Sequence, residues 1–405
     1  MSKYRLLLFI LFFPLLLHAQ WKAYLSYYDP TEIVEGEGKT IYVLASGGLY
    51  SYDRSDQSLT TYDKISGLSD CGITHIGWSQ KAKRLVIVYD DYNIDLLAPN
   101  GEVVNIADYQ NYSTTDTKTV NGVDVNGSMA YLSTAFGIVA LNVADAEVTN
   151  TYRLGFSVNY AYVKDGYLYA ASAARGLYRG KMTDNLLDKA NWTRVGEYTA
   201  KPGTVSEDLK ALVKTLQPGG PKYNYFGFLK IHGGKLYSCN GTVEINPGCV
   251  QVLSNNEWSF FQDDMSTKTG IKYQDVYCLD IDPRDNSHVM AGSREGLYEF
   301  RDGQFVKLWN DQNSPIESFN KKSKDYELVY GVMYDKDGNL WVLNSQAPTQ
   351  SILEYTKDGE WKSFPHEELM KLKYLFAQPQ SLGMLKGLMT DSRGLVWFVN
   401  DHWTV

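Results

Sequence analysis

The chain has 405 residues, with 39 Lys and Arg against 47 Asp and Glu and a formal net charge of -8 at pH 7. Hydrophobic residues at 44% are enough for a real core, and charged residues at 21% are too few for a disordered chain. The acidic balance, without any Lys/Arg run, excludes a nucleic-acid partner, which needs clustered cations; an aromatic share of 14%, carried mainly by 31 tyrosines, favours pleated strands.

In chain order the first element is a signal peptide over residues 1–20. Lys3 and Arg5 precede the apolar run Leu6 to Leu17, and His18-Ala19-Gln20 leads into polar chain. The run is too short and wrongly flanked for a membrane span. No Cys follows it, so a lipid anchor is not indicated, and no other segment approaches the length of a span. Without Lys3 and Arg5 the mature chain carries 37 cations against 47 anions. It is expected to be exported and soluble.

From residue 21 to 364 a degenerate repeat recurs at roughly 40 to 50 residues, the period of repeat architectures. Each unit opens on an alternating run, turns at Gly or Asp-Gly, and runs on to small residues. A Gly followed by apolar and aromatic residues comes next, and a strand carrying Trp or Phe closes the unit. The clearest copies are Lys39 to Tyr52, Gly166 to Tyr178 and His288 to Phe300. Arg84 to Leu97, Ser128 to Leu141, Lys235 to Leu253 and Asn339 to Tyr355 fit more loosely. Units begin near Ile33, Ile73, Val120, Val158, Phe226, Tyr273, Tyr326 and Leu382, and the eighth stops short. Asp335 to Trp341 and Asp391 to Trp397 share the spacing D-x-x-G-x-x-W, which implies one supersecondary unit used twice. Short four-stranded units repeated about seven times avoid long open sheet edges by radial repetition, so the fold expected is an all-β propeller. The recurring Gly reads as a positive-φ or close-packing position, and the Trp and Tyr residues as packing between blades.

Two segments depart from a plain blade. An insertion at 181–225 contains a helix from Ser206 to Leu216, with Ser206 as N-cap, Glu207 and Asp208 in the first turn, and Gln217-Pro218-Gly219-Gly220 as the stop. Residues 365–405 read as a linker helix, His366 to Phe376, followed by a partial blade, and the chain is expected to be truncated. The closing-strand pattern of Glu360 to Phe364 also occurs at Trp21 to Tyr27, which is expected to complete a blade made from the other end. Cys239 and Cys249 flank a Gly, Pro and Asn containing connection whose hairpin geometry allows a disulfide, whereas Cys71 and Cys278 read as small buried residues.

Catalytic signals are lacking in the sequence. His75, His232, His288, His366 and His402 show no metal-ligand or triad spacing, no C-x-x-C pair supports zinc, and no G-x-S-x-G or phosphate loop is present. No cofactor, metal or enzymatic activity is expected from these patterns. Carboxylates that converge only in three dimensions keep a propeller polysaccharide hydrolase or lyase as an alternative. The loops joining the second and third strands of each blade share one face, and there Tyr92, Asn93, Phe136, Arg175, Arg294 and Glu295 are the candidate ligand-binding residues. Aromatic faces with Arg and amide groups suit carbohydrate or anionic headgroups.

Trp21 to Tyr27, Ile41 to Asp53, Ser66-Gly67-Leu68-Ser69-Asp70 and Tyr92 to Leu97 resemble the N-terminal propeller of PorZ-type proteins, surface components of the type IX secretion system. The D-x-x-G-x-x-W units are similar to the propeller repeats of two-component regulators. The resemblance implies a non-enzymatic accessory of secretion and surface attachment, in the periplasm or at the outer-membrane surface of a Gram-negative bacterium. Its implied partners are anionic lipopolysaccharide or other glycan, or secretion-system proteins. A periplasmic ligand-sensing propeller of a hybrid two-component regulator is the alternative.

Overall fold

The computed structural model describes residues 21–319, 326–366, 382–383 and 385–400. The expected signal peptide and all but the first residue of the helix expected at His366 to Phe376 lie outside them. The chain forms two compact units, one ending at Pro218 and one beginning at Gly219. Among the described residues, seven four-stranded antiparallel sheets and one two-stranded sheet make the all-β propeller fold expected from the repeat, and strands pair in sequence order within each sheet. Blades 1 to 4, residues 30–62, 73–106, 120–153 and 160–196, belong to the first unit. Blades 5 to 7, residues 228–260, 278–309 and 329–364, and the two-stranded sheet belong to the second.

Second strands of blades 1 and 2 are packed within their sheets and against the adjoining blade of the same unit, so they read as continuous apolar runs. Thr40–Ala45 (TIYVLA) and Arg84–Tyr89 (RLVIVY) are buried from their second residue onward. Fourth strands such as Leu59–Tyr62 face solvent. Aromatic residues fill the clefts between blades, as the sequence implied. Tyr42 of blade 1 stacks on Trp78 of blade 2 with ring centroids 5.7 Å apart, and Trp309 of blade 6 contacts Tyr355 and Trp361 of blade 7.

The repeated Gly after the second strand has a steric cause. Gly296 sits at φ +120°, and a Cβ there would lie 2.4 Å from the Trp309 carbonyl oxygen, so a side chain would push the third and fourth strands apart. The D-x-x-G-x-x-W turn is likewise one unit built twice. Asp335 Oδ1 accepts from the Asp337 and Asn339 backbone N–H groups, both at 2.9 Å, and Gly338 takes φ +87°. Asp391 Oδ1 accepts from Arg393 and Leu395 at 2.9 and 3.0 Å, its Oδ2 from Trp397 Nε1 at 3.2 Å, and Gly394 takes φ +82°. Burial works to raise the Asp335 carboxyl, but the Asn339 side chain and these backbone donors outweigh it and hold the group below its usual value. Asp335→Ala is expected to cost about 1–3 kcal/mol, read as a lower unfolding midpoint in urea, because it orphans three donors of a tight turn.

Charged side chains tie the first strands of successive blades. In the first unit the two His75 ring nitrogens lie 2.7 Å from Glu32 Oε1 and 3.1 Å from the Val120 carbonyl, while Glu32 Oε2 accepts from Ile76 N at 2.8 Å. In the second, Asp280 meets Lys230 Nζ at 2.5 Å and accepts from Tyr334 N at 2.8 Å. Ser69 and Asp95, from two of the stretches that carry the family resemblance, also meet: Asp95 accepts from Ser69 N and Oγ, both at 2.7 Å, and from Tyr89 Oη at 2.7 Å.

The helix forms at Glu207–Thr215 with Ser206 Oγ capping Leu209 N at 3.2 Å, as its sequence signals require. Leu209 and Val213 pack against Ile41, Val43 and Tyr50 of blade 1, so the helix is docked on its own unit. The segment expected as 181–225 is interrupted by the fourth strand of blade 4, Trp192–Gly196. Residues 21–28 carry no strand; Tyr27 buries its ring in the same cluster. Cys239 and Cys249 are free thiols, not a disulfide. The reason is register: Cys239 pairs with Val250, so its side chain shares a sheet face with Val250 while Cys249, one residue earlier, points to the other. Burial pushes the Cys249 thiol up to about 12. Cys278 is buried as expected, but Cys71 is exposed, because it sits in the polar turn Asp70 to Gly72.

Candidate functional site

The loop residues singled out from sequence fall into two groups. Asn93, Phe136 and Glu295 are buried, at 7%, 5% and 0% exposure. Asn93 Oδ1 accepts from Ile94 N and Asn105 Nδ2, both at 3.0 Å, and fixes its own turn. Phe136 belongs to the core between blades 2 and 3, with the Arg153 guanidinium 5.1 Å from its ring centre. Glu295 Oε2 accepts from Gln274 N and Ser293 Oγ, both at 3.2 Å. Tyr92, in a left-handed conformation at φ +72°, is half-buried edge-on to Tyr109. Arg294 stacks on Tyr326 at 4.7 Å and lies 3.9 Å from Asp275.

Arg175 lines a cavity of about 340 Å³ in the first unit. The Arg194 guanidinium pins the Arg175 backbone from below, donating Nε to its carbonyl at 3.1 Å while pairing with Glu197 at 2.6 Å. Lys189 lines the same cavity, with its Nζ 3.2 Å from where a Cβ on Gly155 would sit. Phe156 and Tyr178 form one wall, ring centroids 4.9 Å apart, and Trp192, held by Nε1 donating to the Leu186 carbonyl at 3.0 Å, forms another. Among the described residues neither Arg175 nor Lys189 has a carboxylate within ion-pair distance. Arg175 and Lys189 are both exposed, and two cations that line one cavity with aromatic rings can hold a carboxylate or phosphate while the rings take an apolar sugar face.

A second cavity, about 730 Å³, is lined by the first strands of blades 1 to 4 and by the segment after blade 4. Gly77 permits this floor: a Cβ there would meet Val123 Cγ1 at 2.9 Å and Val125 Cγ2 at 3.0 Å, so a glycine lets the strands of blades 2 and 3 close up. Tyr160 and Tyr162 stack at 6.0 Å, Tyr162 lies flat on Tyr169 at 4.6 Å, and Tyr160 Oη donates to the Thr199 carbonyl at 2.8 Å. The charged lining groups are Glu35, Asp124 and Lys201. Burial raises the Asp124 carboxyl above its usual value against the opposing pull of Lys201. Loop reasoning missed this cavity. Its residues come from four separate strands and a connection whose first lining residue, Thr199, lies 37 positions beyond Tyr162; the one visible signal was an aromatic pair two residues apart, Tyr160 and Tyr162, in a first strand.

Residues 41–193 match the family model described as the type IX secretion system PorZ N-terminal β-propeller domain. Among solved structures the chain is similar to PorZ, described as an essential bacterial surface component of the type IX secretion system of Porphyromonas gingivalis. The TM-score is 0.78 with 21% identity, covering 93% of this chain and 63% of that one. The resemblance read from the sequence is borne out, and the chain spans less than two thirds of the length of that protein. Fainter likenesses include the extracellular domain of a putative hybrid two component system from B. thetaiotaomicron, with TM-score 0.33, 13% identity, and 92% and 58% of the two chains covered. BamB from Moraxella catarrhalis gives TM-score 0.32 and 14% identity over 77% and 80%. No curated protein matches the sequence. No described helix is long and apolar enough to cross a membrane.

Proposed function

We propose that the protein is an exported, non-enzymatic accessory of type IX secretion and surface attachment that holds an anionic glycan headgroup of the lipopolysaccharide kind. Secretion-system proteins are its further partners. The supporting observation is the Arg175 and Lys189 pair, two cations without carboxylate partners set against Phe156, Tyr178 and Trp192. Two cations that line one aromatic cavity gain most from a ligand carrying negative charge. The family match over residues 41–193 supports the secretion setting.

The mature protein, titrated calorimetrically with a uronate-containing oligosaccharide and with its neutral counterpart, is expected to bind the charged sugar selectively and less tightly as salt rises. Arg175→Ala removes a charge-assisted contact worth about 1.5–3 kcal/mol, so affinity falls about 10- to 100-fold. Lys189→Ala acts in the same direction. Equal affinity for the two sugars, unchanged in both variants, would sink the reading.

A further inference from the structure

We infer that the cavity of about 730 Å³ in the first unit is a binding site for a lysine-type alkylammonium group, and that Lys201 fills that role in the free protein. The site is distinct from the Arg175 pocket and stands independently of it.

The lining carries two carboxylates, Glu35 and Asp124, against one cation, Lys201. Glu35 has a partner outside the lining, Arg54 at 3.6 Å, whereas the counter-charge of Asp124 is Lys201 at 3.9 Å. That separation exceeds a hydrogen-bonded ion pair, which closes to about 2.7–2.9 Å. Lys201 is poorly held: its side chain is 45% exposed, against 29% for Asp124, and it sits in a stretch without helix or strand. Burial keeps the Asp124 carboxyl above its usual value even with Lys201 present, so the group remains undercompensated.

The rest of the wall suits a cation with an apolar stem. Trp78 is braced by its stack on Tyr42, Tyr162 by Tyr169, and Tyr160 by its hydrogen bond to the Thr199 carbonyl. Rings fixed in this way present π faces that attract an ammonium, and Ile76 and Val125 accept methylenes. A carboxylate ligand would meet Asp124 and Glu35. A neutral one would enter and leave Asp124 as poorly paired as before. The volume, about 730 Å³, falls within the usual range of small-ligand sites.

In this arrangement Lys201 is a tethered competitor, and that gives its removal an unusual sign. The probe is N-acetyl-lysine methylamide, with its neutral norleucine analogue, glucosamine and glucuronate as comparison arms, titrated into the mature protein and followed by calorimetry. The lysine probe is expected to bind best. Asp124→Asn, close to isosteric, should weaken it about tenfold or more, the loss of one charged partner. Lys201→Ala and Lys201→Gln should both tighten it several-fold, and melting curves of each variant report whether the fold is intact. Weaker binding on removing Lys201, preference for glucuronate or glucosamine, indifference to Asp124→Asn, or binding of no probe would each overturn the proposal.

Discussion

Tyr27→Ala is expected to destabilise the protein by about 3–5 kcal/mol, the range for deleting a buried aromatic side chain. Tyr27 is 6% exposed and meets Tyr50 edge-on with ring centroids 6.0 Å apart. Its ring lies against bare backbone: a Cβ on Gly48 would sit 2.8 Å from it. The wall is completed by Ile41, Val43 and Ala45 from blade 1 and by Leu209 and Val213 from the helix. A cavity here therefore removes contacts with two separate elements at once, and neither side can collapse into it without moving a sheet or the helix. Trp21, 87% exposed, is the internal control, since exposed substitutions usually stay within about 0.5 kcal/mol. Urea unfolding of the mature chain, of Tyr27→Ala and of Trp21→Ala distinguishes the two. Equal midpoints for all three would show that residues 21–28 hang loosely. Tyr27→Phe should cost only about 1 kcal/mol, because it keeps the ring and loses only the hydroxyl, whose neighbour is Thr61.

The same contrast between local and assembled features explains what was legible in the sequence. Blade starts at Ile73 and Val120 coincide with the first strands observed, since each blade is a contiguous stretch punctuated by its own Gly and Asp turns. The sixth unit, placed at Tyr273, begins at Cys278; Tyr273, Val276 and Tyr277 are buried and apolar but lie outside the strand, so a run of buried residues imitated one. The helix was legible through Ser206 and its acidic first turn, while its docking on blade 1 was not, because nothing local specifies which face a connection will cover. Among candidate ligand residues, Arg175 reaches a cavity whereas Asn93, Phe136 and Glu295 turn inward. Loop position tells which residues are near a face, but the turn geometry decides which way each side chain leaves it. Asp124 and Lys201 lie 77 positions apart and become a pair only through the succession of blades.

Replacing Glu295 and Glu327 together by Gln is expected to raise stability at alkaline pH and leave it little changed near pH 4. Both carboxyls are buried, at 0% and 1% exposure, and their backbones pair across an isolated parallel bridge. Burial pushes each up to about 8 from a usual value of 4.5. The Gln274 N–H and Ser293 hydroxyl pull Glu295 back down, Asp275 pushes it up, and Asp311 adds to the rise of Glu327. Glu295 Oε1 and the hydroxyls of Tyr273 and Tyr298 lack protein hydrogen-bond partners among the described residues, so nothing in the protein supports an added charge on that oxygen. A proton held to about pH 8 in the fold and released near 4.5 in the unfolded chain favours folding fully below 4.5. That stabilisation drains away as pH rises through 8, because only the unfolded chain gains by ionising. At about 1.4 kcal/mol per pKa unit the loss is on the order of several kcal/mol for the pair. Gln keeps the shape and cannot ionise, so the double variant should show a flatter melting temperature between pH 5 and 9 than the parent. Parallel pH profiles for the two proteins would mean that both carboxyls ionise freely in the fold.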